Sequence, residues 1–233
     1  GVALAARRMG LHATVVVPQL AVRAKVDGIE RLGAEVLRVG AGYDAAERFA
    51  RKIADEQGRV FVSPFDDDDV VDGNGGWLGR ELREQRPSLA RVIVPVGGGG
   101  LSGGLGRELG AGVEVIGVQP RVNCAMHDSL RDGRAHVTYG GGATLCDGLE
   151  GAVADRTYEL ARSYVRQIAL VDEEQVLQAV AFAYRVLGLV VEPSAAVGIA
   201  AVRAGVAPAD AETAILITGS NVDPEILDRA LAA

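Results

Sequence analysis

The sequence predicts an α/β protein with parallel sheets, and two features support that prediction. Short runs rich in β-branched residues alternate along the chain with longer segments whose apolar residues recur every three or four positions. Several of the short runs are almost continuously apolar, notably residues 15–17 and 215–217, as parallel strands buried on both faces require. Strands that alternate with helices indicate right-handed, doubly wound β–α units.

The expected elements follow one another closely along the chain. Strands are expected at residues 14–17, 35–39, 60–62, 91–96, 114–118, 167–171 and 214–218. Helical spacing marks residues 20–32, 43–57, 77–85, 158–166, 173–187 and 194–204. Two helix starts carry capping residues, because Asp172 precedes an acidic first turn and Asp223 precedes a proline at the first helical position.

A change of composition near Ser63-Pro64 predicts a domain boundary. Residues 66–69 are four consecutive aspartates, and residues 72–76 are rich in glycine and other turn formers. We therefore expect a small domain at residues 1–62 with three β–α units, a larger domain at residues 63–233, and a ligand in a cleft between them. Because the first residues already follow a helical pattern, we expect both domains to be partial, incomplete at the N-terminus.

Composition and charge exclude several classes of partner. The 233-residue chain has a net charge of −7 and only 4% aromatic residues, which disfavours nucleic acid and anionic membranes as partners. No apolar run approaches the length of a membrane span, and no signal peptide is visible. Cys124 and Cys146 do not form a Cys-x-x-Cys pair, so we expect thiols in a reducing, cytoplasmic compartment, although one disulfide stays open.

The strongest local pattern is a buried strand that runs into Gly97, Gly98, Gly99 and Gly100 and then into a helix that begins near Leu101. Without Cβ atoms the loop can turn tightly and direct several backbone N–H groups at one point, and the helix adds its positive end. The pattern predicts a site for one phosphate or carboxylate group. The alternative is a tight turn that only packs against its own sheet.

The same glycines also satisfy the dinucleotide pattern Gly98-x-Gly100-x-x-Gly103. A nicotinamide-binding protein would carry an acidic residue about twenty positions later, at the end of the next strand, to bind a ribose hydroxyl. That strand ends at Gln119-Pro120, where there is no acid. The dinucleotide interpretation is therefore a minor alternative.

The glycine loop and five other stretches resemble the threonine/serine dehydratase (threonine ammonia-lyase) family of fold-type II pyridoxal-phosphate enzymes. Residues 94–101, Val-Pro-Val-Gly-Gly-Gly-Gly-Leu, look like the tetraglycine loop of that family. The other stretches occur in the family's order and begin at Val16, Pro64, Thr144, Glu192 and Thr218. The resemblance covers essentially the whole chain and implies two domains like those of the tryptophan synthase β-subunit, with doubly wound parallel or mixed sheets.

The resemblance implies specific roles at the cofactor site. Residues 97–100 and the Leu101 amide would bind the phosphate of pyridoxal 5'-phosphate, and Thr218 would place its hydroxyl at the pyridine nitrogen. Gly148 and Glu192 would lie near the ring and the substrate, although they could equally be a turn glycine and a solvated acid. The pattern Thr218-Gly219-Ser220-Asn221 departs from the Ser-Gly-Gly-Asn of many relatives, but it keeps the hydroxyl.

Two departures from the family pattern limit the expected activity. The chain has two lysines, Lys25 and Lys52, and neither follows the motif of the family's Schiff-base lysine, so no catalytic residue is assigned and the chain alone is expected to be inactive. Gln119 and Ala125 stand where metal-binding relatives carry acids, and the aspartates at 66–69 favour capping over coordination. We therefore expect no metal site.

The complete enzyme is expected to deaminate L-threonine or L-serine to a 2-oxo acid and ammonia. It would take a small amino acid as substrate, act as a homodimer in the cytoplasm, and bind neither nucleic acid nor membrane. Racemisation, threonine synthesis and β-replacement are alternatives within the same fold, since the motifs serve the cofactor more than the substrate. A non-catalytic anion-binding module is the alternative outside enzymes.

Overall fold

The computed structural model describes residues 1–232, apart from the side chain of residue 24. The chain divides into two compact units, the first from Gly1 to Ser63 and the second from Pro64 onward. Each unit is built on its own parallel sheet. Among the described residues, no helix combines the length and the apolar character that crossing a bilayer would need.

The first unit is a two-stranded parallel sheet with three helices. Its elements are α1 (Val2–Met9), β1 (Thr14–Val17), α2 (Arg23–Arg31), β2 (Glu35–Arg38) and α3 (Tyr43–Gln57). The strands pair with Thr14 opposite Glu35, and the Thr14 hydroxyl donates to the Glu35 carboxylate at 2.7 Å. A small cluster of buried alanines, Ala3, Ala13 and Ala34, packs α1 and α2 on the sheet.

The predicted strand at residues 60–62 is wrong, because residues 59–63 have no regular structure. Val60 is 90% exposed, and the Arg51 guanidinium lies 4.3 Å from the centre of the Phe61 ring. The sheet of this unit has two strands among the described residues, so the third β-branched run has no hydrogen-bond ladder to join. The unit thus contains two strands instead of three.

The second unit contains a four-stranded parallel sheet covered by helices. Its strands are β3 (Arg91–Pro95), β4 (Glu114–Pro120), β5 (Gln167–Val171) and β6 (Thr213–Ile215). Its helices are α4 (Asp68–Val71), α5 (Trp77–Gln85), α6 (Gly100–Leu109), α7 (Ala125–Asp132), α8 (Asp155–Tyr164), α9 (Glu173–Leu187), α10 (Pro193–Arg203) and α11 (Pro224–Ala232). A π-helical turn at Asp72–Gly76 joins α4 to α5, and short 3-10 turns occur at Gly110–Gly112 and Asp147–Leu149.

Both faces of this sheet are buried, as the continuously apolar strands predict. Along β3, Val92 and Val94 belong to one apolar cluster, and Ile93 between them belongs to the cluster on the opposite face. Neighbouring side chains of a strand point to opposite faces, so each must be apolar when helices cover both sides. The doubly wound parallel architecture predicted from the sequence is confirmed.

The strand order places a topological switch between β3 and β6. The order is β5-β4-β3-β6, with every pair parallel. From β3 the chain moves outward through β4 to β5, and it then returns to form β6 on the other side of β3. Open α/β sheets bind their ligands at the carboxyl ends of the two strands where the order reverses. That rule points to the segments directly after Pro95 and Ile215.

The predicted cap of α9 forms as a reciprocal pair. The Asp172 carboxylate accepts from the Gln175 amide at 2.9 Å, and the Gln175 side chain accepts from the Asp172 amide at 3.0 Å. Replacing Asp172 with alanine should lower the free energy of unfolding by about 1 kcal/mol. Urea unfolding followed by circular dichroism measures this change. Replacing the exposed Glu174 in the same turn is the control and should cost roughly 0.5 kcal/mol or less.

Candidate cofactor site

The glycine loop forms the first wall of the candidate site, at the carboxyl end of β3. The strand ends at Pro95 and α6 begins at Gly100, so the loop delivers the chain directly into a helix N-terminus. Within residues 1–232, the backbone N–H groups of residues 97–101 have no protein acceptor within hydrogen-bond distance. Gly99 and Gly100 are nonetheless buried. Buried N–H groups without partners are rare, and at a helix N-terminus they form a site for an anion.

Glycine is required in the loop for two different reasons. Gly99 has φ +94°, a backbone conformation that residues with a Cβ atom rarely adopt. A Cβ atom on Gly98 would lie 2.5 Å from the Phe65 ring, so that position requires glycine for lack of space. The tight-turn alternative explains this packing, but it does not explain the unpaired amides.

The other predicted site residues lie in segments that contact one another beside this loop. A Cβ atom on Gly97 would be 3.2 Å from the Gly148 carbonyl oxygen, and the Gly148 amide donates to the Ser194 hydroxyl at 3.0 Å. Ser194 is in the first turn of α10, two residues after Glu192. The Glu192 amide in turn donates to the carbonyl of Gly219 at 3.1 Å, next to Thr218.

These contacts join the start of α6, the 3-10 turn that contains Gly148, the start of α10 and the segment after β6. Thr218 and Gly148 are exposed, whereas Glu192 is partly buried. The strand β6 ends at Ile215, earlier than predicted, so Thr218 lies in irregular chain beyond the sheet and its hydroxyl does not belong to a strand face.

Glu173 anchors the segment that carries Gly148, and the sequence pattern did not single it out for this role. Its carboxylate accepts from the Thr144 hydroxyl and from the Leu145 amide, both at 2.7 Å. The Thr144 hydroxyl also accepts from the Cys146 amide at 3.0 Å. An acid in the first turn of a helix is usually assigned to the helix dipole. Only the tertiary structure shows that this one holds a distant loop.

Replacing Glu173 with glutamine should loosen this loop. The amide group offers one acceptor oxygen where the carboxylate offers two, so the Thr144 hydroxyl and the Leu145 amide can no longer each donate to an oxygen of their own. We expect the free energy of unfolding to fall by about 1–2 kcal/mol, measured by urea denaturation. Replacing Glu174 with glutamine is the matched control, since the described part of the chain gives its side chain one hydrogen bond, from the exposed Gln178 at 3.3 Å. An equal loss in both variants would contradict the anchoring role.

Cys146 is fully buried beside this anchor. Burial, followed by the nearby negative charge of Glu173, raises the pKa of its thiol to about 12. A thiol with that pKa remains protonated near neutral pH, and the thiolate is the reactive form. We expect iodoacetamide at pH 8 to leave Cys146 unmodified in the folded chain and to alkylate it after unfolding in urea. Peptide mass spectrometry would detect the modification, and rapid alkylation of the folded chain would contradict the expectation.

The residues considered for metal coordination in the sequence have other partners. The Gln119 side chain is 1% exposed, and its oxygen accepts from the His127 amide at 3.0 Å. In the acidic run, Asp67 caps α4 by accepting from the Val70 amide at 3.0 Å. Asp66 and its neighbour Asp68 form ion pairs with Arg156. These aspartates therefore cap a helix and pair with arginine.

The two lysines of the chain both lie in the first unit. Lys25 is in α2 and Lys52 is in α3. The Lys52 ammonium lies 3.7 Å from the Glu56 carboxylate on an exposed helix face, in the i, i+4 arrangement of a surface ion pair. The glycine loop, Gly148, Glu192 and Thr218 all lie in the second unit.

The fold and the loop together define a parallel α/β protein whose unpaired amides lie at the carboxyl ends of its central strands. A family model described as "Pyridoxal-phosphate dependent enzyme" matches residues 1–219. The chain belongs to this family of pyridoxal-phosphate-dependent enzymes, whose cofactor is pyridoxal phosphate.

Known proteins of this family resemble the chain over nearly its whole length. An L-threonine ammonia-lyase of Thermotoga maritima is 39% identical over 237 residues, which cover 99% of this chain and 58% of that protein. Threonine deaminase isoform 2 of Solanum lycopersicum superposes with a TM-score of 0.88 at 28% identity, over 99% of this chain and 69% of its own. Maize serine racemase gives the same TM-score at 27% identity, over 99% of this chain and 72% of its own. The chain thus spans less than two thirds of the Thermotoga relative.

Proposed function

We propose that the chain forms the cofactor-binding part of a pyridoxal-phosphate-dependent ammonia-lyase that acts on L-threonine or L-serine. The observation that carries the proposal is the set of unpaired amides at residues 97–101, at the switch between β3 and β6. The similarity to the L-threonine ammonia-lyase of Thermotoga maritima supports the choice of reaction.

The residues present fit a phosphate group. Backbone N–H groups and the start of a ten-residue helix offer partial positive charge at a fixed place, which suits an oxyanion that can accept several hydrogen bonds at once. Gly99, with φ +94°, supplies the left-handed backbone conformation directly before this helix. In the proposed arrangement, Gly97, Gly98, Gly100 and the Leu101 amide complete the phosphate contacts.

The remaining proposed contacts concern the cofactor ring and the substrate. When bound, pyridoxal phosphate supplies an electron sink for the carbon that loses its proton. Thr218 would offer a neutral hydroxyl to the ring nitrogen, and a neutral partner does not hold a proton there as a carboxylate would. A Cβ atom on Gly148 would lie 3.0 Å from the Ser194 hydroxyl oxygen, so the position favours glycine, and Gly148 would lie beside the ring. Glu192 would place its carboxylate on the substrate side.

Covalent attachment of the cofactor is not assigned to this chain, because neither of its two lysines, Lys25 and Lys52, follows the family motif. We propose that the chain alone has no turnover and binds pyridoxal phosphate weakly and without a covalent bond. Borohydride reduction followed by mass spectrometry tests this. A stoichiometric reduced adduct on Lys25 or Lys52 would show the assignment to be wrong.

The reaction is tested on the longest natural protein that contains these residues. We expect release of 2-oxobutyrate and ammonia from L-threonine, with pyruvate and ammonia from L-serine. The similarity to maize serine racemase makes racemisation the competing outcome. Formation of D-serine without any 2-oxo acid would reject the lyase and would favour the racemase.

We also propose a cytoplasmic homodimer. The two free cysteines support the reducing compartment, and the dimer follows from the family resemblance. Analytical ultracentrifugation of the purified protein distinguishes a dimer from a monomer.

We further propose that the two compact units, which divide after Ser63, are the two domains predicted from the sequence.

A further inference from the structure

A second polar cluster lies at the start of α7, outside the site described above. Its members are Cys124, His127 and Asp128, named here the α7 cluster, and one ligand atom from each lies within 4.8 Å of the others. Cys124 is the N-cap of α7, and His127 and Asp128 follow it by three and four residues. Side chains at these spacings share one face of a helix. The cluster is therefore formed by a single short segment.

The chemistry of the three side chains favours a divalent transition metal over an alkaline-earth ion. A thiolate and an imidazole are soft or borderline ligands that select zinc, whereas magnesium and calcium require oxygen ligands. We infer that the α7 cluster is a zinc site, with Cys124 Sγ, a ring nitrogen of His127 and an Asp128 carboxylate oxygen as its protein ligands. Water would complete the tetrahedron.

The distances are close to those that zinc requires. Tetrahedral ligands at the usual bond lengths lie about 3.3 Å apart for a nitrogen–oxygen pair and about 3.5 Å apart for pairs that include sulfur. The His127 Nδ1 atom lies 3.2 Å from Asp128 Oδ1. The Cys124 sulfur therefore needs to move little more than about 1 Å closer to the other two ligand atoms. A change in the side-chain torsion of Cys124 provides this movement.

Charge and burial also suit a dication. The Asp128 carboxylate is partly buried and lies beside His127, Arg131 and Tyr139. Cys124 is buried, and a thiolate with this carboxylate would balance the charge of Zn²⁺. Arg131 now lies 2.8 Å from Asp128, but it also lies 2.8 Å from Asp132 and keeps that partner when a metal binds.

The surroundings provide an outer shell that would orient these ligands. The Tyr139 hydroxyl donates to Asp128 Oδ2 at 2.7 Å and lies 3.4 Å from the Cys124 sulfur. The Gln119 oxygen fixes the His127 amide, while the Gln119 side-chain nitrogen is buried without a partner among the described residues. Hydrogen bonds of this kind around metal ligands commonly change affinity by about 10–100-fold.

Zinc titration of the purified chain by calorimetry tests the inference. We expect one equivalent of Zn²⁺, and at least a tenfold loss of affinity in Cys124→Ser and in His127→Gln. Matched controls are Cys146→Ser, which removes the other buried thiol, and His12→Gln, which removes a histidine of the first unit; both should bind zinc like the wild type. Absence of binding, or unchanged binding in Cys124→Ser, overturns the inference.

A second measurement does not depend on any variant folding. Cobalt(II) added to the wild-type chain should produce a sulfur-to-metal charge-transfer band and the intense visible bands of a tetrahedral site. A weak octahedral spectrum without the sulfur band overturns the inference. Circular dichroism of His127→Gln, whose side chain is 35% exposed, confirms that loss of binding is not loss of fold. Neither result depends on pyridoxal phosphate, so the outcome is independent of the proposed ammonia-lyase.

Discussion

Replacing Gly75 with alanine should destabilise the second unit by about 3 kcal/mol, at the upper end of what one added methyl group costs in a packed interior. Gly75 is buried in the π-helical turn, where a Cβ atom would press on the Leu101 carbonyl oxygen and the Leu105 amide nitrogen. It would also lie 2.7 Å from the carbonyl carbon of Gly104. All three are backbone atoms of α6, and backbone cannot rotate away as a side chain can.

The control is Gly73, which lies in the same π-helical turn. A Cβ atom on Gly73 meets nothing within 4 Å, and its φ is not positive. Alanine there should leave stability unchanged or raise it by about 0.5–1 kcal/mol, because it restricts the unfolded chain more than the folded one. Urea unfolding of both variants measures the difference. Equal stabilities would mean that the turn and α6 are not packed as closely as the structure shows.

This contact explains why the sequence could not predict the segment before α5. Residues 72–76 have a composition typical of turns, and the sequence analysis interpreted them so. In the structure these residues form a π-helical turn that packs closely against α6. Glycine at positions 75 and 104 permits this packing, since a Cβ atom on Gly104 would be only 3.1 Å from the Gly75 Cα atom. Local propensity favours a turn, and the tertiary packing of two glycine-containing segments overrides it.

The strand predicted at residues 60–62 is absent from the structure, so here a local pattern predicted an element that does not form. Its β-branched residues satisfy the local pattern of a strand, but a strand also needs a partner, and partners are set by topology. The parallel strands of the second unit were predictable because their apolar runs are continuous, and each is followed by a helix with its own start and stop residues. The end of β6 was predicted too late, since residues 216–218 stay apolar or β-branched beyond the last paired residues, Ile93 and Ile215.

The parts of the candidate cofactor site that are contiguous in sequence could be predicted, and the parts that depend on contacts between distant residues could not. Four consecutive glycines after an apolar strand predict an anion-binding loop without any structure. Glu173 looked like an ordinary helix-start acid, because its partners Thr144 and Leu145 are 29 and 28 residues away. The α7 cluster has no local signature either, because the three-residue spacing of Cys124 and His127 matters only if Cys124 begins a helix.

Replacing Gly99 with alanine should weaken the binding of pyridoxal phosphate and of inorganic phosphate to the chain by at least tenfold. The residue has φ +94°, and a Cβ atom would lie 2.5 Å from Met126 Cε and 3.1 Å from Thr157 Cβ. Because alanine rarely adopts this φ, the loop should shift, and the amides of residues 97–101 should then no longer keep their present arrangement. Loss of one hydrogen bond to a charged group costs about 1.5–3 kcal/mol, which is tenfold or more in affinity.

Gly110 provides the matched control at the opposite end of α6. It also has a positive φ, +61°, and the nearest atom to an added Cβ is the flexible end of Arg83 at 4.0 Å. The ψ of Gly110 is −164°, a conformation almost restricted to glycine, so alanine at Gly110 should cost about 1–3 kcal/mol in stability and leave the glycine loop intact. Calorimetric titration of both variants separates the two effects. If phosphate affinity fell equally in both, general destabilisation would explain the loss, and the glycine loop would not be the site where the phosphate binds.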